Sequence, residues 1–193
     1  MAKSNTTAYI ILGLLDHEEL SGYDIKKRID SMIRYFWEVG YGQIYPTLKT
    51  LESEGLITKK SAESSKGPEK YLYSITGAGR VVLKEWLEIP ETKEYTRYEI
   101  LLKLFFSSRI SAEENISRIN AFREQHQRNL EMITLFEKNL ENVMAENTDH
   151  LYYYLTVLFG EQVYKAYIRW AEQAVNLIEE FKIKQPDNPE NSL

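Results

Sequence analysis

The chain has 193 residues, of which 43% are hydrophobic and 27% charged, as is ordinary for a globular protein of one or two domains. It contains no cysteine, which excludes a disulfide framework, a thiol nucleophile and a cysteine-based metal site. Residues 1–89 hold 12 Lys/Arg and 12 Asp/Glu, whereas residues 90–193 hold 12 and 17, so the net charge of −5 lies in the second half. A neutral first half argues against a strongly non-specific nucleic-acid binder.

The first segment is predicted to be a core helix that begins at a cap on Ser4 or Asn5 and ends near Leu15. Its apolar run, residues 8–15, is too short to span a bilayer, and no secretory leader pattern precedes it. We therefore expect a cytoplasmic protein.

A second helix is predicted to begin at Ser21, because Ile25 and Ile29 then face inward at a spacing of four residues. In a helix-turn-helix the first helix crosses the DNA backbone. Tyr23 and Lys26 are therefore candidate phosphate contacts, with simple solvation of the lysine as the alternative.

The connection that follows, residues 31–39, is unusually aromatic. We expect Tyr35, Phe36 and Trp37 to anchor it on the core, since aromatic side chains bury large areas. A role for Trp37 in facing a flat ligand is the less favoured alternative.

Residues 40–55 are predicted to form the helix around which the chain is organised. At about 100° per residue, Ile44, Leu48 and Leu51 fall on one side, and Gly55 ends the helix as a C′ glycine. The other side suits the DNA major groove, although an ordinary amphipathic surface helix would show the same periodicity. The candidate DNA contacts on this helix are Tyr41, Gly42, Gln43, Tyr45, Pro46, Lys49, Thr50 and Ser53.

Two β-prone runs, residues 56–60 and 71–75, flank a polar segment that contains Gly67 and Pro68, which predicts a hairpin. A hairpin directly after such a helix is typical of a winged helix. Its lysines are candidate contacts to phosphate or minor groove, opposed only by Glu63 and Glu69, although charged tips also occur for solubility. These candidates are Lys59, Lys60, Lys66 and Lys70.

Three motifs in this order resemble the PadR family of bacterial transcriptional regulators: residues 21–25, residues 42–57 and residues 71–79. The resemblance covers roughly residues 5–90 strongly. The rest resembles, more loosely, the virulence-activator-type C-terminal region of the longer PadR branch. Where the family often opens its recognition helix with Ser-Pro, this chain has Gly40 and Tyr41.

The resemblance implies a homodimer that binds double-stranded DNA at a palindromic operator, with repression favoured over activation. It also implies that a small aromatic molecule can act as effector. In such a dimer the first helix would contact the C-terminal helices of the partner.

The second half of the chain is predicted to be helical. Thr76 is predicted to start a fourth helix that uses Val82, Trp86 and either Leu83 or Leu87 and ends before Pro90. Three more helices are predicted, from Tyr98 to Ser107, from a capping box at Ser111 to about Ala145, and from Asp149 to Lys184.

The long helices carry apolar stripes that few partners in the same chain can cover, which favours a two-fold dimer. Arg123 and His126 interrupt the first of these stripes, so it is not a clean coiled coil. The second stripe is predicted to contain Leu151, Leu155, Leu158, Val163, Tyr167, Trp170, Ala174, Leu177 and Phe181.

Aromatic residues crowd the last helix, which suggests a cleft for a planar ligand; aromatic filling of a dimer interface is the favoured alternative. The candidate ligand contacts are Trp37, Tyr154, Tyr167 and Trp170.

No catalytic motif is visible: the three histidines lie far apart, and no pair has the spacing of metal ligands. We therefore expect no enzyme, no metal and no cofactor.

The sequence predicts a mainly α protein with a small β-hairpin wing: a winged helix-turn-helix domain (1–90), an α-helical dimerisation domain (91–185) and a disordered tail (186–193). A DNA-binding regulator is the favoured function, and a ligand-sensing or protein-interaction module without specific DNA binding is the alternative.

Overall fold

The computed structural model describes residues 6–62, 70–90, 92, 94, 97–107, 110–145 and 147–184. The chain divides into two compact units, residues 1–94 and 95–193. The described elements of the first unit are α1 (Thr6–His17), β1 (Leu20–Ser21), α2 (Gly22–Arg28), α3 (Tyr41–Ser53), β2 (Ile57–Ala62), β3 (Lys70–Ile75) and α4 (Gly77–Leu87). Those of the second are α5 (Glu99–Phe105), α6 (Ala112–Val143) and α7 (Thr148–Lys184). The predicted fold class is confirmed.

The core of the first unit lies where α1, α2 and α3 meet the sheet. On α3 the predicted seam is confirmed, since Ile44, Leu48 and Leu51 are 1%, 1% and 2% exposed. Burying each such aliphatic side chain contributes about 1.5–3 kcal/mol. The seam therefore fixes α3 by one edge and leaves its other edge in solvent.

The connection between α2 and α3 begins with a π-helical turn, Ile29–Ile33, closed by a 3.0 Å hydrogen bond from the Arg34 N–H to the Ile29 carbonyl. Trp37 packs partly against the core, as predicted. Phe36 is 58% exposed, so the prediction that it anchors the connection is wrong. Consecutive residues in a turn point in different directions, and only some of three adjacent rings can reach the core.

The three strands form an antiparallel sheet in the order β1-β3-β2. The predicted hairpin is confirmed as β2 and β3, with Ile57 opposite Ile75. Its tip, residues 63–69, lies outside the described residues. The strand β1, in which Leu20 pairs with Tyr73, was not predicted, because two residues are too few to show an alternating pattern.

The start of α4 packs closely against the residue that precedes the hairpin. Thr76 is the N-cap, and its hydroxyl accepts a hydrogen bond from the Gly79 N–H at 3.1 Å. A Cβ atom on Gly79 would lie 2.2 Å from the Leu56 carbonyl oxygen, so only glycine fits there. Of the two alternatives for the inner face of α4, Leu83 is buried and Leu87 is 67% exposed.

The second unit is built on the packing of α6 against α7. The predicted capping box opens α6: Ser111 Oγ accepts from the Glu114 N–H at 3.1 Å, and Glu114 Oε2 accepts from the Ser111 N–H at 3.0 Å. The buried hydrophobic side chains of the two helices are Ile119, Ile133, Val157, Tyr164, Ala171 and Val175.

The stripe predicted on α7 is only partly covered within the unit, as expected of side chains predicted to be buried across a dimer. Small residues set the contact with α6, because Ala171 is fully buried and the Cβ position of Gly160 lies 3.4 Å from Ile133 Cδ1. The helix is apolar on more than one side, and spacing alone does not tell which side packs within the unit. The predicted stripe residues that are exposed are Leu151, Leu155, Leu158, Leu177 and Phe181.

The short helix α5 also presents apolar side chains to solvent. Ile100 and Leu104 pack against the α6–α7 core, but Phe105 is 82% exposed and Phe106 67%. Of the helices that the structure describes, none combines the length and the apolar composition needed to cross a bilayer.

Candidate DNA interface and aromatic cluster

The outer edge of α3 is exposed along the whole helix. Thr47, at 5% exposure, joins the buried seam and was not predicted there. Every residue predicted for the outer face and the leading end lies in solvent: Tyr41, Gly42, Gln43, Tyr45, Pro46, Lys49, Thr50 and Ser53. The helix therefore offers amide, hydroxyl and ammonium groups at one accessible edge.

The leading end of α3 has no side-chain cap. Gly40 occupies the N-cap with φ −66° and ψ 121°, and its carbonyl accepts from the Gln43 N–H at 2.8 Å. Gln43 is in turn held by α1, because its Oε1 accepts from the Thr7 hydroxyl at 3.2 Å. The side-chain NH₂ of Gln43 is thus the group positioned to donate to a ligand.

Pro46 lies inside α3, an uncommon position because it has no N–H to bond the carbonyl four residues earlier. That carbonyl belongs to Gly42, which is exposed and has no side chain to shield it. The Pro46 carbonyl accepts from the Thr50 hydroxyl at 3.1 Å. The Gly42 carbonyl therefore lacks the usual helical bond from position 46, near the leading end of the helix.

α2 and α3 meet through a lysine and a tyrosine. The Lys26 ammonium lies 4.2 Å from the centre of the Tyr41 ring, and the Tyr41 hydroxyl donates to Asp30. The bond to Asp30 is the main cause of a raised Tyr41 pKa. Tyr23 is 68% exposed in the first turn of α2, whose N-cap is Ser21. The phosphate contacts predicted on α2 are thus accessible, and Lys26 adjoins α3.

Lys59 and Lys60 lie on opposite faces of the wing, because successive side chains of a strand alternate. Lys59 is opposite Tyr73, a buried residue of the core face. Burial, and then the charges of Glu52 and Tyr45 on α3, raise the pKa of Tyr73. The face that carries Lys59 is therefore the one that adjoins α3.

Lys60 is held on the far face by Glu19, whose carboxylate accepts from the Lys60 ammonium at 3.3 Å and from the Ser74 hydroxyl at 2.6 Å. These partners, Ser74 first, lower the pKa of Glu19. The prediction that only Glu63 and Glu69 oppose the wing lysines is wrong, because strand pairing brings Glu19 across 41 positions of sequence. Lys66 and the side chain of Lys70 lie outside the described residues.

The predicted ligand residues do not form one group. Tyr167 and Trp170 meet on Phe122, at ring-centroid distances of 5.7 and 5.5 Å. Tyr154 lies about 20 Å away along α7, at 1.5 Å per residue, and its hydroxyl donates to Glu137 at 3.5 Å. Trp37 belongs to the core of the first unit.

His126 completes the aromatic cluster formed by Phe122, His126, Tyr164, Tyr167 and Trp170. Its ring lies 4.2 Å from Phe122 and 4.7 Å from Tyr167, whose hydroxyl is 2.7 Å from that of Tyr98. Burial, and then the bond to Tyr98, raise the pKa of Tyr167 strongly. Burial lowers the pKa of His126.

Two buried polar atoms of α6 have no partner in the described part of the chain, and one of them belongs to this cluster. Arg123 Nε and His126 Nδ1 are buried and have no hydrogen-bond partner among the residues that the structure describes. Sequence reasoning placed neither in a site, although the signal was present in the interruption of the apolar seam of α6.

Comparison with known proteins identifies the family to which this chain belongs. The model of the transcriptional regulator PadR-like family matches residues 11–85, and that of the virulence activator alpha C-term family matches residues 96–179. The chain is 32% identical over 181 residues to the negative transcriptional regulator PadR of Bacillus subtilis (strain 168), which covers 89% of this chain and 96% of that protein. This chain belongs to the PadR-like family of transcriptional regulators.

Solved structures of PadR-like proteins share the fold. B. subtilis PadR in complex with operator DNA has a TM-score of 0.76 at 30% identity, over 90% of this chain and 99% of that one. The same protein in complex with p-coumaric acid has a TM-score of 0.68 at 29% identity, over 91% and 99%. The resemblance identified from three sequence motifs is confirmed.

In this PadR-like chain the predicted contacts therefore fall into separate sets. The outer edge of α3, Tyr23 and Lys26 on α2, and Lys59 on the wing belong to one unit and are accessible. Lys60 lies on the opposite face of the wing. On α7, Tyr167 and Trp170 both contact the Phe122 ring and Tyr167 also contacts the His126 ring, whereas the Tyr154 hydroxyl bonds Glu137.

Proposed function

We propose that this PadR-like regulator is a sequence-specific DNA-binding repressor, in which residues 1–90 bind DNA and residues 91–185 form a homodimer. The observation that supports this most directly is the exposed outer edge of α3. It is free of carboxylates from Tyr41 to Leu51, since Glu52 and Glu54 come only at the end. A helix of this kind can enter a major groove without repelling phosphate.

Base reading is assigned to the leading half of α3. Gln43 and Tyr45 supply an amide and a hydroxyl near the helix N-terminus, the part that touches base edges in a helix-turn-helix. Because the Gln43 carbonyl is held by Thr7, its NH₂ would donate to an acceptor such as guanine O6 or N7, or thymine O4.

Phosphate contacts are assigned to Lys49 on α3, to Tyr23 and Lys26 on α2, and to Lys59 on the wing. Since residues 1–89 carry no net charge, few phosphates would be neutralised. Each one adds about 0.9 to the slope of log affinity against log salt. Sequence specificity would then depend on base contacts more than on electrostatic attraction between the protein and the DNA phosphates.

Dimerisation is assigned to the exposed apolar side chains of α5 and to the predicted stripe residues of α7 that are exposed within the unit. Exposed patches of this kind mark interfaces. A two-fold dimer reads a palindrome whose half-sites lie about one helical turn apart, or a multiple of it. Repression is supported by the B. subtilis relative, which is a negative transcriptional regulator. We assign this function to the cytoplasm and expect no catalysis.

The experiment is a selection of duplexes from a random pool with the full-length protein at physiological salt. The proposal expects a palindromic site bound at about 10⁻⁸ M or tighter, at least about a thousandfold over unrelated DNA. Enrichment of no sequence would favour the alternative, a winged-helix module for ligand sensing or protein interaction.

We also propose that an aromatic effector regulates DNA binding. The aromatic cluster of α6 and α7 offers ring faces and hydroxyls to a planar molecule. A relative with the same fold binds p-coumaric acid in its solved structure. Release of operator DNA on titration with aromatic compounds tests this, and a packing role alone predicts no release.

A further inference from the structure

The Thr7 hydroxyl is a buried polar group at the edge of the contact between α1 and α3. Thr7 is 5% exposed and lies one helical turn before Ile11, which is fully buried in the core of the first unit. Its hydroxyl donates to Gln43 Oε1 at 3.2 Å. Because a buried hydroxyl without an acceptor is destabilising, this bond satisfies Thr7. The same bond fixes one atom of an exposed side chain on α3.

The Gln43 side chain is held at a second point by the N-cap of α3. A Cβ atom built on Gly40 would lie 3.7 Å from Gln43 Cδ and 3.9 Å from its Nε2, which are ordinary van der Waals distances. The amide group therefore lies alongside Gly40, with its oxygen turned to Thr7. A side-chain amide carries its acceptor and its donors at different ends, so the NH₂ is the end left to face a ligand.

The orientation of a glutamine amide decides which base edge it can bond. A freely rotating glutamine suits adenine, since its carbonyl accepts from N6 while its NH₂ donates to N7. Guanine instead presents two acceptors, N7 and O6, and thymine presents O4. An amide whose carbonyl is turned toward α1 and whose NH₂ faces outward therefore matches guanine or thymine, and it loses the paired contact with adenine.

We infer that Thr7 is a positioning residue for base recognition, which turns the Gln43 carbonyl toward α1 so that Gln43 reads guanine or thymine rather than adenine. This inference rests on the proposed function, in which Gln43 meets a base edge, and it adds a residue of α1 to the determinants of specificity. Thr7 is buried and acts through Gln43 without touching DNA.

The test compares the full-length original protein with Thr7→Val on every single-base variant of the selected operator. Valine keeps the branched shape of threonine but has no hydroxyl to donate, so the amide of Gln43 can turn and offer its carbonyl and NH₂ together. At the base pair that depends on Gln43, we expect the preference for guanine or thymine over adenine to fall about three- to tenfold, as for one lost hydrogen bond. Preferences at the other base pairs should stay unchanged.

Two variants of α1 serve as controls. Thr7→Ser keeps the hydroxyl and should keep the original base preference. Thr6→Val makes the same chemical change at the first residue of α1, about 100° around the helix from Thr7, and should also keep it. Thermal unfolding of each variant shows that it is folded.

A double-mutant cycle locates the effect. In a Gln43→Ala background, Thr7→Val should leave the base preference unchanged, because the side chain through which Thr7 acts is absent. A purely structural role of Thr7 predicts a different result, in which Thr7→Val weakens binding to all sequences alike.

Three results overturn the inference. One is an original protein that prefers adenine or cytosine at the base pair that depends on Gln43. Another is an unchanged base preference in Thr7→Val, and the third is a change that persists in the Gln43→Ala background. If the original protein selects no DNA sequence, the proposed function fails and the inference with it. Selective binding with identical profiles for the original protein and Thr7→Val contradicts the inference alone.

Discussion

Tyr45 lies directly over the backbone of Gly22. A Cβ atom built on Gly22 would be 2.7 Å from Tyr45 Cε1, closer than such atoms approach in proteins. The first residue of α2 thus sets the position of an aromatic side chain on α3. Tyr45 is 62% exposed, so its ring is free to swing away if the position is filled.

Gly22→Ala should therefore lower operator affinity with little loss of stability. The added methyl displaces the Tyr45 ring, while the helix itself gains from alanine, so we expect a stability change below about 1 kcal/mol. Binding titrations and thermal unfolding measure the two effects. Affinity equal to that of the original protein would show that Tyr45 takes no part in binding.

Gly79→Ala is the contrasting change. The new Cβ would meet the Leu56 carbonyl oxygen at 2.2 Å, and backbone cannot swing away as a tyrosine ring can. We expect a loss of about 1–3 kcal/mol or more in the free energy of unfolding, measured by urea denaturation. An unchanged free energy of unfolding would mean that the backbone at the start of α4 can move aside without strain.

The two neighbouring wing lysines should behave differently. Lys59→Ala should weaken operator binding and reduce the salt slope by about one, because Lys59 lies on the face that adjoins α3. Lys60→Ala should change affinity less than about twofold, since Lys60 points to the other face and is paired with Glu19. A loss for Lys60→Ala as large as that for Lys59→Ala would contradict the assigned faces.

The helix α3 was predictable from the sequence because its seam has a strict helical period and its end is marked by Gly55, which has φ 71°. The structure confirms a Schellman-type end, in which the Leu56 N–H bonds the Leu51 carbonyl at 2.9 Å. The engagement of Gln43 by Thr7 and of Lys60 by Glu19 was not predictable. Both partners are distant in sequence, and no local pattern encodes the pairing.

Lys49→Ala should weaken binding to all DNA sequences alike. Lys49 lies on the outer edge of α3, beyond the half that we propose reads bases, where phosphate is the expected partner. We expect the salt slope to fall by about one, with the preference among single-base variants of the site unchanged. A change in sequence preference would instead assign Lys49 to a base edge.

Leu177→Glu should dissociate the proposed dimer without unfolding the subunit. Leu177 is 65% exposed within the described chain, so a carboxylate there is costly only when a second subunit covers it. We expect the dimer dissociation constant to rise at least about tenfold in sedimentation equilibrium, with helical circular dichroism retained. Glu179→Lys, on the opposite side of α7, is the control. A Leu177→Glu variant with an unchanged dissociation constant would place the interface elsewhere.

The second unit shows where periodicity stops being informative. Spacing located the helices, but on α7 it selected large residues such as Leu155 and Phe181, which the structure leaves exposed. Small residues at Gly160 and Ala171 decide which side approaches α6. A helix with two apolar sides has two partners, and a single sequence does not say which side belongs to which.

The most direct test of the central claim, that the outer edge of α3 reads DNA, compares full-length protein with Gln43→Ala on every single-base variant of the selected operator. The account predicts that Gln43→Ala costs about 1–3 kcal/mol on the preferred site and loses discrimination at one base pair per half-site. Discrimination elsewhere should be retained. Identical specificity profiles for Gln43→Ala and for the original chain would contradict the assignment of base reading to the leading end of this helix.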